Sequence, residues 1–214
     1  MRTCHIVSAL PVALSLERED GDLVIAADAG YENLRQAGIR PDLVVGDFDS
    51  LGYVPKGQES VVYPARKDDT DTMLAVRIGL NRGYRRFLLY GALGGRMDHT
   101  LANLQCLSFI VDHGGEGYLL GNEMMTVAEE ARLLFPEGLS GIFSVFAWGC
   151  SKASVRLEGC SYPYEGELSS DYPLGVSNEF IAKAAAITVT EGKILVIWDT
   201  EGRIYPRLEH FPRL

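Results

Sequence analysis

The chain has 214 residues, of which 47% are hydrophobic and 23% are charged, a composition typical of a soluble globular protein with one or two domains. Its formal net charge of −9 argues against sequence-independent nucleic-acid binding, because few basic groups are available to neutralise phosphates. No run approaches the roughly 18 apolar residues that a membrane helix requires, so we predict no membrane association.

The N-terminal segment and the cysteines together favour a cytoplasmic location. Residues 1–16 contain an apolar run, but His5 and Pro11 interrupt it and no clear cleavage site follows, so we predict a first strand rather than a secretion signal. The four cysteines have no C-x-x-C spacing, and Cys4 and Cys106 lie in apolar runs and are most simply buried thiols in a reducing compartment. Cys150 and Cys160 could meet across a hairpin, but their spacing does not require a disulfide.

Short apolar runs alternate with helix-like stretches in the first part of the chain. The runs cover residues 4–10, 22–28, 42–47, 86–92 and 117–122, and helical spacing covers residues 29–41, 70–84 and 98–115. Uninterrupted apolar runs are typical of strands that are buried on both faces of a parallel sheet. The alternation therefore predicts an α/β fold with an open, mostly parallel sheet, flanking helices and right-handed crossovers.

The sequence changes character after about residue 122. Alternating β-branched and aromatic residues, separated by glycine-containing turns, replace the helical patterns and predict an antiparallel all-β segment in the form of a small sandwich or roll. We therefore predict an α/β domain over residues 1–125 and a β-sandwich domain over residues 126–214.

Two aspartates, Asp47 and Asp49, follow the third predicted strand in the stretch GDFDS. Ligands gather at the carboxyl ends of strands in an open α/β sheet. In extended backbone the two carboxylates would point the same way and repel each other unless a cation lay between them. Mg²⁺ fits this pattern, since it takes one or two carboxylates together with substrate phosphates. The alternative is an Asx-turn that only shapes the loop.

Two further clusters strengthen the first interpretation. Residues 66–72, RKDDTDT, place three more carboxylates before a helix that Thr70 can cap. Residues 91–100, GALGGRMDHT, follow a strand with three glycines and then supply Arg96, which can bind phosphate oxygens, and Asp98 at a helix start. Neither a dinucleotide fingerprint nor a Walker motif is present. Three such loops at one sheet edge predict a site for a polyphosphate with Mg²⁺.

The order of these motifs resembles the thiamine pyrophosphokinase (thiamine diphosphokinase) family: GDFDS, then DDTD, then GALGGRMDHTLANL, then GVSNE. The resemblance implies an α/β nucleotide-binding domain, a β-sandwich that binds thiamine and mediates dimerisation, and a homodimer with its active site at the subunit interface. It also implies Mg²⁺-dependent transfer of a diphosphate group from ATP to the hydroxyl of thiamine, giving thiamine diphosphate and AMP.

The resemblance also assigns residues by motif match. It implies Mg²⁺ ligands and catalytic carboxylates at Asp47, Asp49 and Asp71, a further catalytic residue at Asp98, nucleotide contacts at Asp28, Thr70, Arg96 and His99, and substrate contacts at Lys67, Ser177 and Asn178. Three of these have structural alternatives: His99 as a capping or packing residue, and the Ser177-Asn178 pair as an ordinary turn. The family often has Asp-Gly-Gly where this chain has Asp28-Ala29-Gly30.

Two other functions compete with this one. A phosphatase of the haloacid dehalogenase type also has D-x-D after a strand, but there the motif usually follows the first strand rather than the third. A metal-dependent nucleotide- or thiamine-binding sensor without catalysis is the other alternative. Formation of AMP from ATP, Mg²⁺ and thiamine separates all three.

Overall fold

The computed structural model describes residues 1–49, 51–64, 66–199 and 202–211. The chain forms two compact units, Met1–Gly121 and Asn122–Leu214. Within the described ranges, no helix is long and apolar enough to cross a membrane.

The first unit is built on a parallel six-stranded sheet. Its strands are β1 (Thr3–Val7), β2 (Leu23–Ala27), β3 (Leu43–Gly46), β4 (Glu59–Val62), β5 (Arg86–Tyr90) and β6 (Glu116–Leu120). The order is β6-β5-β1-β2-β3-β4, and every pairing is parallel. The sequence predicts all of these strands except β4. That edge strand is partly exposed and lacks the continuous apolar run that marks the others.

Three helices connect these strands: α1 (Gly30–Gln36), α2 (Asp71–Asn81) and α3 (Met97–Asp112). Thr70 caps α2, since its hydroxyl oxygen accepts a hydrogen bond from the Met73 N–H at 3.2 Å, as predicted. Gly83 follows α2 with φ +85°, and Gly114 follows α3 with φ +71°. Leu101 on α3 is 48% exposed, because the helix buries the face that carries Leu104, Leu107 and Val111.

The strand order places the loops that follow β1 and β5 at a switch point. β1 pairs with β2 on one side and with β5 on the other. The chain builds outward from β1 to β4, then crosses through α2 to β5 and continues to β6. Loops on the two sides of β1 therefore diverge at the carboxyl ends of the strands, which leaves a crevice there.

Among the described residues of the second unit, its strands pair with one another in antiparallel fashion. Its strands are β7 (Met124–Phe135), β8 (Ser140–Ala147), β9 (Lys152–Glu158), β10 (Tyr164–Ser169), β11 (Asn178–Ile181), β12 (Ala185–Asp199) and β13 (Arg207–His210). β12 pairs with β7 along its length, and a register shift between Val189 and Lys193 divides it. The first half pairs with β9 and the second half with β8, so the long strand serves two layers.

Aromatic side chains fill the space between these layers. The Phe135 ring lies 5.0 Å from that of Phe180 and 5.6 Å from that of Trp198, and the Phe143 and Phe180 ring centroids are 4.8 Å apart. Trp198 is 1% exposed, and its indole N–H donates to the Ile204 carbonyl at 3.1 Å. The second unit is thus a sandwich with an aromatic core, and the fold class is the predicted one.

Candidate active site

Three carboxylates converge where two neighbouring parallel strands end. Asp28 follows β2, and Asp47 and Asp49 follow β3, which pairs with β2. One carboxylate oxygen from each of the three lies within 4.8 Å of the other two. Asp28 is buried, Asp47 is half-buried and Asp49 is exposed. The cluster therefore extends from the interior of the unit to its surface.

A turn, rather than extended backbone, brings Asp47 and Asp49 together. Phe48 between them has φ 60°, in the left-handed region, and its side chain is 3% exposed. The Asp49 N–H donates to Asp47 Oδ1 at 3.2 Å, which is the geometry of an Asx-turn. The prediction of extended backbone was wrong, because Phe48 adopts a left-handed conformation and the Asp49 N–H bonds to Asp47. The turn and the clustered carboxylates coexist.

The backbone of Asp28 is fixed by a hydrogen bond, but one of its carboxylate oxygens has no hydrogen-bond partner among the described residues. Its backbone has φ 46°, its N–H donates to the Val45 carbonyl at 2.8 Å, and the residue is 9% exposed. In the part of the chain that the structure describes, buried Asp28 Oδ1 has no hydrogen-bond partner. Ala29 has φ −61°, so an alanine fits where the family often has glycine.

Lys67 links the first acidic loop to the second. Its Nζ lies 2.8 Å from Asp71 Oδ1 and 3.3 Å from Asp47 Oδ2. Burial alone would lower the pKa of Lys67, but its hydrogen bonds and charge interactions with Asp71 and Asp47 raise it. Burial raises the pKa of Asp71, and Lys67 opposes that effect. The hydrogen bond from the Asp49 N–H is the main cause that lowers the pKa of Asp47.

Arg96 and Asp98 form an exposed ion pair at the start of α3. Arg96 Nε lies 3.1 Å from Asp98 Oδ1, and an Arg96 terminal nitrogen lies 2.5 Å from Asp98 Oδ2. The His99 N–H also donates to Asp98 Oδ1, at 2.9 Å. The hydrogen bond from Arg96 is the main cause that lowers the pKa of Asp98. Both side chains are more than half exposed, so the pair can open at little cost.

A cleft of about 320 Å³ collects most of the predicted nucleotide contacts. The predicted site residues that line it are Asp28, Thr70, Asp71, Arg96 and His99. Sequence reasoning missed Ser8, Thr72 and Asn103, which line the same cleft. Ser8 directly follows β1, and this position could have indicated that it lines the cleft, since ligands gather at the carboxyl ends of strands.

Ser177 and Asn178 lie in the second unit and line a separate cleft of about 430 Å³. Ser177 is exposed, has φ 60°, and its N–H donates to Ser144 Oγ at 3.1 Å. Asn178 is 5% exposed, and its carboxamide pairs with both backbone groups of Tyr162, at 2.8 Å and 3.1 Å. Asn178 thus holds the Tyr162 loop, while Ser177 presents its hydroxyl at the surface.

The acidic cluster fits a hard divalent cation. Its donors are carboxylate oxygens, the ligands that Mg²⁺ prefers, and crowded carboxylates repel one another without a positive charge between them. The unpaired, buried Asp28 Oδ1 is the observation that distinguishes this cluster from an ordinary acidic surface. Asp71 differs from the three clustered carboxylates, since Lys67 already supplies it with a cation.

The chain is similar to known proteins in both sequence and fold. Residues 15–116 match the family model described as the catalytic domain of thiamin pyrophosphokinase. The chain is 27% identical to the thiamine pyrophosphokinase of Bacillus subtilis (strain 168), over 94% of this chain and 100% of that protein. The matched segment and the relative both support the thiamine pyrophosphokinase family.

Solved structures of family members share the fold. The crystal structure of the Bacillus subtilis thiamine pyrophosphokinase superposes with a TM-score of 0.82 at 23% identity, covering 94% of this chain and 100% of that one. A family protein from Enterococcus faecalis gives 0.76 at 26% identity, with 94% and 100% covered. The thiamin pyrophosphokinase of Candida albicans gives 0.77 at 14% identity, with 94% and 89% covered.

Proposed function

We propose that the chain is a thiamine diphosphokinase, an ATP-dependent diphosphotransferase that makes thiamine diphosphate. One observation carries the proposal: the segment matched by the family's catalytic-domain model contains three converging carboxylates next to a cleft lined by Arg96 and the N-terminus of α2. A helix N-terminus, a guanidinium and clustered carboxylates are the groups that hold a metal-bound polyphosphate.

The reaction needs no covalent intermediate on the protein. The hydroxyl oxygen of thiamine attacks the β-phosphorus of ATP, the bond from that phosphorus to the α–β bridging oxygen breaks, and AMP leaves with that oxygen. The proton of the hydroxyl is released, directly or through a carboxylate, to solvent. Such transfers depend on positioning and electrostatics.

Each element of the cleft has a part in this proposal. Asp28, Asp47 and Asp49 would hold Mg²⁺, which when bound neutralises charge on phosphate oxygens and orients them. Arg96 would exchange Asp98 for a phosphate oxygen, since the ion pair is exposed. Lys67 would hold Asp71 in position beside Asp47, and Thr70 would fix the N-terminus of α2 next to the phosphates.

The deciding experiment is incubation of the protein with ATP, Mg²⁺ and thiamine, with separation of the nucleotides and phosphate released. AMP and thiamine diphosphate in equal amounts are the expected products. ADP, or inorganic phosphate without AMP, would contradict the proposal and indicate another kinase or the phosphatase alternative. Binding of ATP or thiamine without any product would favour the sensor alternative.

The carboxylates give the first mutational prediction. Asp47→Asn removes a charged ligand and should lower kcat for AMP formation roughly a hundredfold or more, with the fold intact by circular dichroism. Asp20→Asn, at an exposed position outside the cleft, is the matched control and should retain wild-type kcat. EDTA should abolish AMP formation and added Mg²⁺ should restore it. Normal activity of a folded Asp47→Asn protein would refute the metal role.

We also propose that the protein is a homodimer with its thiamine site at the subunit interface. Three apolar side chains next to the Ser177 cleft are strongly exposed for a monomer: Tyr162 at 65%, Leu174 at 49% and Val176 at 47%. Ser177→Ala should raise KM for thiamine without changing KM for ATP. Sedimentation velocity should give a dimer, and a fully active monomer would overturn the assembly.

A further inference from the structure

Asn103 is a buried polar residue on the second turn of α3, a position where asparagine is unfavourable without a partner or a purpose. It is 7% exposed and lines the 320 Å³ cleft. Its helix neighbours Leu104 and Leu107 are buried apolar residues. An asparagine at this position is therefore a feature that helix formation and core packing do not account for.

One hydrogen bond fixes which way the Asn103 carboxamide faces. Its Nδ2 donates to the Ala92 carbonyl at 2.7 Å. The flipped orientation would set Oδ1 against that carbonyl oxygen, which is repulsive, so the orientation is determined by chemistry. The carboxamide oxygen is consequently the polar atom that remains for the cleft, and among the described residues it has no hydrogen-bond partner.

The other buried polar side chains of the cleft are already accounted for. Ser8 Oγ and Thr72 Oγ1 lie 3.0 Å apart and satisfy each other. Asp28 also has an unpaired oxygen, but it belongs to the carboxylate cluster. Asn103 Oδ1 is not one of the buried, unpartnered side-chain atoms of the described residues, so it is open to the cleft that Asn103 lines. Its orientation is fixed by the bond to Ala92, so this oxygen is an acceptor that a ligand in the cleft can reach.

The chemistry of that acceptor restricts the ligand group. A carboxamide oxygen repels phosphate oxygens, and Mg²⁺ has charged carboxylates available nearby. The remaining partner is an uncharged N–H or O–H donor. We propose that Asn103 Oδ1 accepts a hydrogen bond from a neutral donor on the nucleoside part of the bound nucleotide, so that Asn103 determines nucleoside specificity. This inference rests on the proposed function, because that function supplies the nucleotide.

A nucleoside offers this donor in two places, the ribose hydroxyls and the exocyclic amine of adenine. Three analogues separate them: 2′-deoxy-ATP, 3′-deoxy-ATP and purine riboside triphosphate, which lacks the amine. Binding of each with Mg²⁺, and without thiamine, is measured by calorimetry. We expect one analogue to bind about 2- to 12-fold more weakly than ATP to the wild-type protein, the range for one hydrogen bond.

Variants at position 103 show whether Asn103 causes the weaker binding of that analogue. In Asn103→Leu, which is of similar size, the affected analogue and ATP should bind equally. If Asn103→Leu does not fold, Asn103→Ser serves in its place, since it also removes the acceptor. Gln105→Leu, an exposed change on the same helix, is the control and should keep the wild-type penalty.

Each outcome bears on one claim. Equal weakening of ATP and all three analogues by Asn103→Leu would mean that Asn103 only anchors Ala92, and would overturn the inference. Three analogues that bind the wild-type protein as tightly as ATP would overturn it as well, whatever the variants do. Formation of AMP with either of these results leaves the proposed function standing. If one analogue binds more weakly than ATP to the wild-type protein but not to Asn103→Leu, and no AMP forms, the inference is supported and the proposed diphosphokinase activity is overturned.

Discussion

Lys67 lies between two carboxylates that belong to different loops. Its Nζ is 2.8 Å from Asp71 and 3.3 Å from Asp47, and its side chain is 13% exposed. A positive charge at this place reduces the repulsion between the two aspartates in the absence of metal. Asp47 therefore belongs both to the pair of carboxylates that Lys67 contacts and to the cluster with Asp28 and Asp49.

Replacing Lys67 by methionine tests this arrangement, since the side-chain length is kept and the charge is removed. We expect Lys67→Met to lower the Tm of the metal-free protein, by an amount corresponding to about 1–3 kcal/mol of unfolding free energy, because two half-buried carboxylates lose their partner. Added Mg²⁺ should then raise Tm more in the variant than in the wild type. Thermal melts with EDTA and with Mg²⁺ measure both effects.

Lys152→Met is the matched control. Lys152 pairs with Glu167 at 2.6 Å, but both side chains are more than half exposed, so the loss should be below about 1 kcal/mol. Its response to Mg²⁺ should equal that of the wild type. An identical response of the two variants to Mg²⁺ would contradict the role given to Lys67.

At the scale of elements, the contact between α1 and β1 depends on one glycine. A Cβ atom on Gly30 would lie 1.8 Å from the Val7 carbonyl oxygen, so the first turn of α1 approaches the end of β1 backbone to backbone. This close approach sets α1 directly behind the loop that carries Ser8. Ala29, the neighbouring residue, has ordinary helical geometry and needs no glycine.

Exchange of glycine and alanine should strongly affect stability at position 30 and only weakly at position 29. Gly30→Ala should destabilise the protein by about 3 kcal/mol or more, because neither backbone segment can move without breaking sheet or helix hydrogen bonds. Ala29→Gly should change the unfolding free energy by less than about 1 kcal/mol. Urea unfolding of both variants measures the difference, and a stable Gly30→Ala protein would show that α1 is free to shift.

The N-terminus of α2 depends on a side-chain cap. Thr70→Ala removes the acceptor for the Met73 N–H and should lower the unfolding free energy by about 0.5–2 kcal/mol. Thr70→Ser keeps the hydroxyl and should stay close to wild type in the same urea titration. If both substitutions reduced stability equally, the threonine methyl rather than the cap would be the important group.

At the scale of the whole molecule, a buried network ties three strands of the parallel sheet together. His5 on β1 contacts Asp22 at 3.3 Å, and its other ring nitrogen lies 3.2 Å from the hydroxyl of Tyr90 on β5. Asp22, directly before β2, also accepts from the Thr3 N–H at 2.6 Å and the Glu19 N–H at 2.9 Å. This network contributes to stability in a pH-dependent way.

Burial lowers the pKa of His5, although its contact with Asp22 opposes that effect. Burial would raise the pKa of Asp22, but its backbone and His5 hydrogen bonds lower it. A histidine whose pKa is lower in the folded state gives stability that is present above its unfolded pKa of about 6.5 and is lost as the pH falls below that value. The Asp22 contribution is present above about pH 3.8 and is lost as the pH falls further.

We therefore expect Tm to fall from pH 8 to pH 5.5, with part of the fall due to His5. His5→Gln should be less stable at pH 8 by about 1–3 kcal/mol, since buried partners lose a hydrogen bond, and should lose less Tm between the two pH values than the wild type does. His113→Gln, at an exposed histidine, is the control. Parallel pH profiles for His5→Gln and the wild type would exclude His5 as the titrating group.

Much of the fold could be predicted because its signals are local. The apolar runs of β1, β2, β3, β5 and β6, the cap at Thr70 and the glycines after the helices each act within a few residues. β4 was missed because a partly exposed edge strand carries a weak apolar pattern. Asp28, Asp71 and Arg96 line one cleft, as expected for loops at the carboxyl ends of parallel strands.

The sequence by itself determined which kinds of groups are present at those loops, and that they follow buried strands. Only the tertiary structure decided which of them meet: Asp28 joins Asp47 and Asp49, Lys67 takes Asp71, and the Asn103 oxygen is left for the cleft. The physical reason is that these distances depend on strand order and on single backbone angles. The left-handed turn at Phe48 brings Asp49 back to Asp47, and the parallel pairing of β2 with β3 brings Asp28 to both of them.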